Sequence, residues 1–117
     1  MTDRAARGQA TEQLVQSHLM AHGLRLRTRN HRCRWGEIDL VMDDGTMVVF
    51  VEVRYRARSD FGGATASVDA GKQRRLIRAA QDYLARNRLA TRPTRFDVAA
   101  VGPDQRIDWI QGAFDAS

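Results

Sequence analysis

The 117-residue sequence has one cysteine, one lysine and two prolines, and it has no long apolar run. Because Cys33 is alone, an intrachain disulfide is excluded. No segment approaches the ~18 apolar residues that a membrane span needs, and no charged-then-apolar leader opens the chain. These absences predict a cytoplasmic protein with no membrane contact. The length of 117 residues predicts one domain over residues 1–117, and the lack of an apolar pattern in residues 1–8 predicts a frayed tail there.

Because lysine is scarce, almost all of the positively charged side chains are arginines. Lysine and arginine total 19 against 14 acidic residues, for a net charge of +5, and only Lys72 is a lysine. Arginine presents a planar set of donors that suits phosphate, so nucleic acid is the leading class of partner. An arginine-rich, GC-rich genome would give the same bias, so composition alone does not identify the partner.

The stretch from Gly36 to Arg56 contains two apolar, β-branched runs joined by a short polar segment. An Asp-Gly pair between such runs predicts a β-hairpin, here with Asp44 and Gly45 as the two turn residues. That register places Asp39 opposite Phe50, with Asp39 and Glu52 as diagonal neighbours on one face, at most roughly 7 Å apart. The opposite face is wholly apolar.

The remaining pattern predicts two helices and three further strands. Ala57 to Ser67 is rich in small residues and predicts a loop, with Ser67 as the N-cap of the helix that follows. A strand, a helix and another strand form a right-handed parallel crossover. The sequence therefore predicts an α/β fold: a mixed β-sheet of about five strands, antiparallel at its start and with one parallel crossover, flanked by helices. The predicted elements are helices 9–22 and 68–87, an edge strand 24–30, an irregular link 31–35, and strands 96–101 and 107–110.

Buried carboxylates in one row require compensating positive charge. Carboxylate oxygens are ligands for hard divalent cations, so Asp39 and Glu52 could meet at one Mg²⁺ or Mn²⁺. A salt-bridge cluster with Arg54, Arg56 or Arg34 is the alternative. Glu12 falls at the border of the buried face of the first helix, where it either turns inward or is solvated.

His31 and Cys33 stand two residues apart, but no second pair of ligands accompanies them, so the sequence does not favour a zinc site there. The second helix carries a run of basic residues around its apolar stripe. Such a run is either a solvated face or a surface that follows a phosphate backbone.

Two segments of the chain resemble the YraN-like family of small bacterial proteins: Gly36-Glu37-Ile38-Asp39-Leu40, and Phe50-Val51-Glu52-Val53-Arg54-Tyr55-Arg56. The resemblance extends from about Gly8 to Val101. That family is in turn similar to archaeal Holliday junction resolvases of the PD-(D/E)XK nuclease superfamily. Further matching positions are Gly8, Glu12, Gly23, Asn30, Lys72 and Arg95-Phe96-Asp97-Val98.

The resemblance implies a restriction-endonuclease-like fold and assigns roles by position. Asp39 and Glu52 stand where the two acids of the nuclease motif sit, and Arg54 stands where the lysine normally sits. Glu12 matches a helix glutamate that completes the metal site, and the Val53 carbonyl could add a ligand. An arginine stays charged and is a poor base, so Lys72 is a possible substitute in catalysis.

Two main functional hypotheses follow. The first is a Mg²⁺- or Mn²⁺-dependent endonuclease, with DNA, including branched DNA, as its substrate and a homodimer as its natural assembly. The second is a nucleic-acid-binding protein that keeps the nuclease fold without catalysis, and a protein that binds an acidic protein partner is a third. The arginines expected to contact nucleic acid are Arg34, Arg56, Arg74, Arg75 and Arg78.

Overall fold

A computed structural model of the chain describes residues 3–56 and 68–116. The loop predicted at 57–67 and the cap predicted at Ser67 lie outside these residues. The described elements are α1 (Asp3–Ala21), β1 (Arg25–Cys33), β2 (Gly36–Asp44), β3 (Met47–Tyr55), α2 (Ala70–Arg86), β4 (Thr94–Val101) and β5 (Ile107–Phe114).

The five strands form one mixed sheet in the order β1-β2-β3-β4-β5. Strands β1, β2 and β3 pair antiparallel, β3 and β4 pair parallel across α2, and β5 returns antiparallel to β4. The predicted mixed sheet, its antiparallel start, its parallel crossover and the edge position of β1 are therefore confirmed. No helix within the described residues is long and apolar enough to cross a bilayer.

Two apolar layers cover the sheet, one on each face. Val41, Val48 and Phe50 belong to a cluster with α2. Leu40 and Val49, on the other face, belong to a cluster that includes residues of α1. This alternation of β2 and β3 follows from the period of two in a strand, and it agrees with the predicted division of faces except at Ile38, which packs in the α2 cluster although it was expected on the apolar face with Leu40.

The hairpin turn differs from the prediction by one residue. Gly45 has φ +62° and occupies the first central position of the turn, with Thr46 second, so Asp44 pairs with Met47. A glycine with positive φ at that position is the arrangement that two-residue hairpins favour. The shift pairs Val41 with Phe50. The predicted pairing of Asp39 with Phe50 is therefore wrong, and Asp39 and Glu52 lie just beyond the last pair, Leu40 with Val51.

The ends of several elements also differ from prediction. The first helix begins at Asp3, so residues 3–8 of the predicted frayed tail are helical. Strand β1 continues through Cys33, across most of the predicted irregular link. The N-cap of α2 is Asp69, whose carboxylate accepts a hydrogen bond from the Lys72 N–H at 2.8 Å. Strand β5 extends to Phe114, four residues beyond the predicted end at Ile110.

Candidate metal-binding and catalytic site

The regular alternation of β2 breaks at Asp39. Ile38 packs in the α2 cluster and Leu40 in the α1 cluster, although residues two apart in a regular strand share a face. On β1, Asn30 stands between the residues paired with Ile38 and Leu40, and it has φ +55°. This irregular point of the ladder is where Asp39 meets side chains from other elements.

Asp39 is largely buried and surrounded by other acids. Its Oδ2 accepts a hydrogen bond from the Val53 backbone N–H at 2.8 Å, at the point where pairing between β2 and β3 has ended. Burial and the neighbouring Glu52 charge raise the pKa of Asp39 to about 8, with smaller contributions from Glu12 and Glu37 in the same direction. A carboxyl group in this position binds a proton, or another cation, at neutral pH.

Glu52 lies on β3 with only 6% of its side chain exposed, and two cations approach it. Arg54 Nε lies 3.1 Å and Lys72 Nζ lies 3.3 Å from its Oε2. Lys72 reaches this position from the first turn of α2, which the Asp69 cap fixes. Lys72 could replace the lysine of the nuclease motif only if its helix approaches the acids. The contact between Lys72 and Glu52 meets this condition.

Glu12 turns inward from α1 toward Asn30 and Asp39. Burial raises the pKa of Glu12, and a hydrogen bond from the Asn30 side chain opposes that rise. The guanidinium of Arg29 lies at the limit of ion-pair distance, 4.0 Å from Oε1. That buried Oε1 has no hydrogen-bond partner among the residues the structure describes. A buried oxygen without a donor is a ready ligand for a cation.

The donor set suits a hard divalent cation, but its members are not gathered around a single point. Within the described residues, Glu12, Asp39 and Glu52 do not all bring an oxygen within 4.8 Å of one another. Asp39 is held by the Val53 N–H and Glu52 by its two cations, so a bound ion would draw these side chains together. Val53 contacts the site through its N–H, and ligation by its carbonyl stays a prediction.

A basic groove beside α2 contains Trp35, a residue that the sequence did not indicate as part of a functional surface. The guanidinium groups of Arg34 and Arg78 lie 4.9 and 4.7 Å from the ring centre of Trp35, at cation–π distance. A groove of about 680 Å³ is lined by Trp35, Arg74, Ile77, Arg78, Gln81, Asp82 and Ala116. A second cavity of about 50 Å³ is lined by Trp35, Gly36, Glu37, Lys72, Arg75 and Leu76.

Because Trp35 lines both cavities, the basic groove continues toward Lys72 and the acidic site. Of the five arginines predicted to contact nucleic acid, Arg34, Arg74, Arg75 and Arg78 surround these cavities or Trp35. Arg56 instead follows β3, where its backbone N–H donates to the Val101 carbonyl at 2.8 Å. Trp35 lies in the turn between β1 and β2, and its membership of this surface follows from its contact with Arg78 of α2, which the sequence does not show.

The chain matches a known family over most of its length. Residues 11–101 match the family described as uncharacterised protein family UPF0102. The chain belongs to this family. UPF0102 is the YraN-like family, so the resemblance drawn from the sequence is confirmed.

Curated members of UPF0102 cover nearly the whole chain. A UPF0102 protein of Stutzerimonas stutzeri is 49% identical over 99% of this chain and 100% of its own length. A UPF0102 protein of Cupriavidus taiwanensis is 52% identical over 97% of this chain and 86% of its own length. A UPF0102 protein of Cupriavidus pinatubonensis is 53% identical over 94% of this chain and 86% of its own length.

Proposed function

We propose that this UPF0102 protein is a Mg²⁺- or Mn²⁺-dependent DNA endonuclease with a resolvase-like site. The observation that carries the proposal is the group of Glu12, Asp39 and Glu52, three acids from three different elements, with Lys72 reaching one of them. In this group the pKa of Asp39 is raised to about 8, mainly by burial and by Glu52. A divalent cation would satisfy these acids, including the Glu12 oxygen that accepts no hydrogen bond from the described residues.

The carboxylates of Glu12, Asp39 and Glu52 would hold the cation. When bound, the ion would polarise a phosphodiester and lower the pKa of a coordinated water. The chain supplies the remaining chemistry. The Val53 N–H orients Asp39. Lys72 is about one-third exposed and in contact with Glu52, so it is placed to exchange a proton with the attacking water.

Arg54 is suited to hold the phosphate instead of moving a proton. A guanidinium keeps its charge at neutral pH, and it offers several donors to phosphate oxygens. Its Nε is buried and makes no aligned hydrogen bond with any described residue, although Glu52 is close. This division of roles, with Arg54 for phosphate and Lys72 for the proton, replaces the single lysine of the nuclease motif.

The basic groove would guide DNA to the acids. Guanidinium groups and an aromatic ring together bind phosphates and stack on bases. Trp35 lines both the basic groove and the small cavity that includes Lys72. DNA is therefore the proposed partner, and a symmetric homodimer, which two matched cuts in branched DNA would require, stays a prediction.

A cleavage assay on the full chain tests the proposal. Supercoiled plasmid, single-stranded DNA and a four-way junction are incubated with Mg²⁺ or Mn²⁺, with a chelator as the metal-free control. Cleavage should need the cation and should fall by at least about 100-fold in Asp39→Asn and in Glu52→Gln. Asp108→Asn, which removes one exposed carboxylate on β5, is the matched control. Equal cleavage by all four proteins would show that the site is wrongly placed.

One observation favours a second function, DNA binding without catalysis. Glu52 already has two cationic neighbours, Arg54 and Lys72. If these neutralise it permanently, the protein would bind DNA with a steep salt dependence and would show no metal-dependent turnover. Strong binding with no cleavage of any of the three substrates would favour this function.

A further inference from the structure

Three side chains outside the acidic site come together between β1 and α2. His31 and Cys33 are two apart on β1 and therefore share a face of the strand. Asp82 approaches them from α2. Each of the three offers one ligand atom, and these atoms lie within 4.8 Å of one another. His31 Nε2 is 3.3 Å from Asp82 Oδ2.

The neighbouring packing holds these groups in place. The His31 ring meets the Tyr83 ring edge to face, with centroids 5.1 Å apart. The Tyr83 hydroxyl is hydrogen-bonded to the Thr28 hydroxyl at 2.9 Å, which joins α2 to β1 a second time. The side chains of His31 and Asp82 are only 14% and 20% exposed. The strand and the helix therefore present the three groups to each other on rigid elements.

We propose that His31, Cys33 and Asp82 bind a divalent cation of the zinc class, with one coordination position left open. An imidazole, a thiolate and a carboxylate are all zinc ligands, and Mg²⁺ and Mn²⁺ do not favour sulfur. The zinc–ligand bond lengths place tetrahedral ligand atoms about 3.3–3.8 Å apart. His31 and Asp82 already have this separation, and the Cys33 sulfur, which lies within 4.8 Å of both ligand atoms, needs to move by roughly 1.3 Å at most. Its thiol proton passes to solvent when the cation binds.

Arg86 competes with the cation for Asp82. Its Nε lies 2.9 and 3.1 Å from the two Asp82 oxygens. Its side chain is 72% exposed, so it can turn into solvent when the cation arrives. Asp82 also lines the 680 Å³ groove, which leaves room for water or another ligand at the fourth position. Arg86 therefore lowers the affinity of the site for metal without being a ligand.

Cobalt provides the direct test, because Co²⁺ bound by a thiolate gives a charge-transfer band in the near ultraviolet. The sequence has a single cysteine, so such a band reports on Cys33 alone. Co²⁺ titrated into the full chain with Mg²⁺ in excess should produce the band, and Zn²⁺ should remove it by displacement. Binding through His18 and His22 alone would give no such band and would contradict the proposal.

Variants separate this site from a simple salt-bridge cluster. Loss of an outer partner of a metal site weakens binding by about 10–100-fold, so loss of a ligand should weaken it at least as much. Cys33→Ser should lose the band, and His31→Gln and Asp82→Asn should weaken Zn²⁺ binding by at least about tenfold. Arg86→Gln should strengthen binding, because it removes the competitor. Should Asp82→Asn fail to fold, Cys33→Ser and Arg86→Gln still decide the matter.

Asp39→Asn separates this proposal from the proposed nuclease function. It should leave the cobalt band unchanged even if it abolishes DNA cleavage, and the band should persist even if the protein cuts no DNA. The zinc-class site is overturned if wild-type protein shows no band. It is equally overturned if Arg86→Gln weakens Zn²⁺ binding as much as Asp82→Asn does.

Discussion

Lys72 Nζ lies 3.3 Å from Glu52 Oε2, so the only lysine of the sequence joins the first turn of α2 to the acid on β3. Arg54 lies at a similar distance from the same oxygen. Two cations from different elements therefore reach one carboxylate. Under the proposed function, Lys72 moves the proton and Arg54 holds the phosphate.

Removing the amine at position 72 and then placing one at position 54 tests this division of roles. Lys72→Ala should lower the cleavage rate by about 100-fold or more, because proton transfer by a positioned group contributes about 10²–10⁴-fold. Adding Arg54→Lys to Lys72→Ala should restore part of the rate, since it places an amine beside Glu52 again. Rates are compared under single-turnover conditions. If Lys72→Ala cleaves DNA as fast as wild type, Lys72 does not transfer the proton and the division of roles is wrong.

The charge on Asp39 should destabilise the metal-free protein. Its pKa of about 8 in the fold exceeds the ordinary value of 3.8, so between these values the folded state holds a proton that the unfolded state releases. The free energy of unfolding should therefore fall as pH rises from about 4 to about 8. Asp39→Asn keeps an acceptor for the Val53 N–H, and near pH 8 it should raise the free energy of unfolding by up to roughly 5 kcal/mol.

Denaturant titrations in chelator at several pH values check this expectation. Near pH 4 Asp39→Asn and wild type should have similar stability, because both carry a neutral side chain there. Asp108→Asn should follow wild type at every pH. A wild-type protein more stable than Asp39→Asn near pH 8 would show that the Asp39 charge is already compensated.

Asp97 should be a large contributor to stability. It is 1% exposed and accepts hydrogen bonds from Arg95, from the Trp109 indole and from the Gly112 N–H. Asp97→Ala leaves the part-buried Arg95 guanidinium with only the exposed Asp44 and removes the acceptor of the Trp109 indole and the Gly112 N–H, so the free energy of unfolding should fall by about 3–5 kcal/mol. Asp44→Ala is the matched control, since Asp44 is an exposed partner of the same Arg95.

Thermal or denaturant unfolding measures both variants. The exposed pair of Asp44 should contribute less than about 1 kcal/mol. Equal losses in the two variants would contradict the role given to the buried network. The sequence showed Asp97 only as part of a family motif, because two of its donors, Trp109 and Gly112, reach it from β5, and Gly112 lies beyond the predicted end of that strand.

The sequence predicted the sheet well because its signals are local. Alternation in β2 and β3 places apolar residues on both faces, and the helix between two strands fixes their parallel pairing. The hairpin register was wrong by one residue because an Asp-Gly pair is compatible with more than one turn position. Gly45 takes the first central place in the turn, and this pairs Leu40 with Val51, next to Asp39 and Glu52.

Long-range contacts were harder to predict from sequence. Asp82 is 51 residues from His31, so spacing within β1 could not indicate a third ligand. Trp35 was assigned to an irregular link, and its place between Arg34 and Arg78 depends on the packing of α2. Lys72 was named only as a possible substitute, because its reach depends on where the helix begins.

The basic groove should set the salt dependence of DNA binding. Removal of one arginine that neutralises a phosphate should reduce the slope of log K against log salt by about 0.9 for duplex DNA. The double variant Arg74→Gln, Arg78→Gln should therefore lower that slope by up to about 1.8. Arg106→Gln, an exposed arginine in the turn before β5, should leave it unchanged. A slope equal to wild type in the double variant would place the DNA surface elsewhere.

Trp35 should contribute to binding in a different way from the arginines. Stacking of a base on an aromatic ring contributes about 1–3 kcal/mol. Trp35→Ala should therefore weaken binding of single-stranded or branched DNA more than binding of an intact duplex, with little change in the salt slope. Fluorescence anisotropy on matched duplex and single-stranded probes measures both effects. An equal loss on both probes would mean that Trp35 only supports the neighbouring arginines.

The central claim is that Glu12, Asp39 and Glu52 form a cation site. Calorimetric titration of Mn²⁺ into the full chain tests this claim most directly. Near pH 7 Asp39 is mostly protonated because its pKa is about 8, so binding should release roughly one proton per ion. Heats measured in two buffers of different ionisation enthalpy report that proton. The account predicts one Mn²⁺ per chain with this release, lost in Asp39→Asn and kept in Cys33→Ser. No Mn²⁺ binding at millimolar concentration, or equal binding by Asp39→Asn, would contradict it.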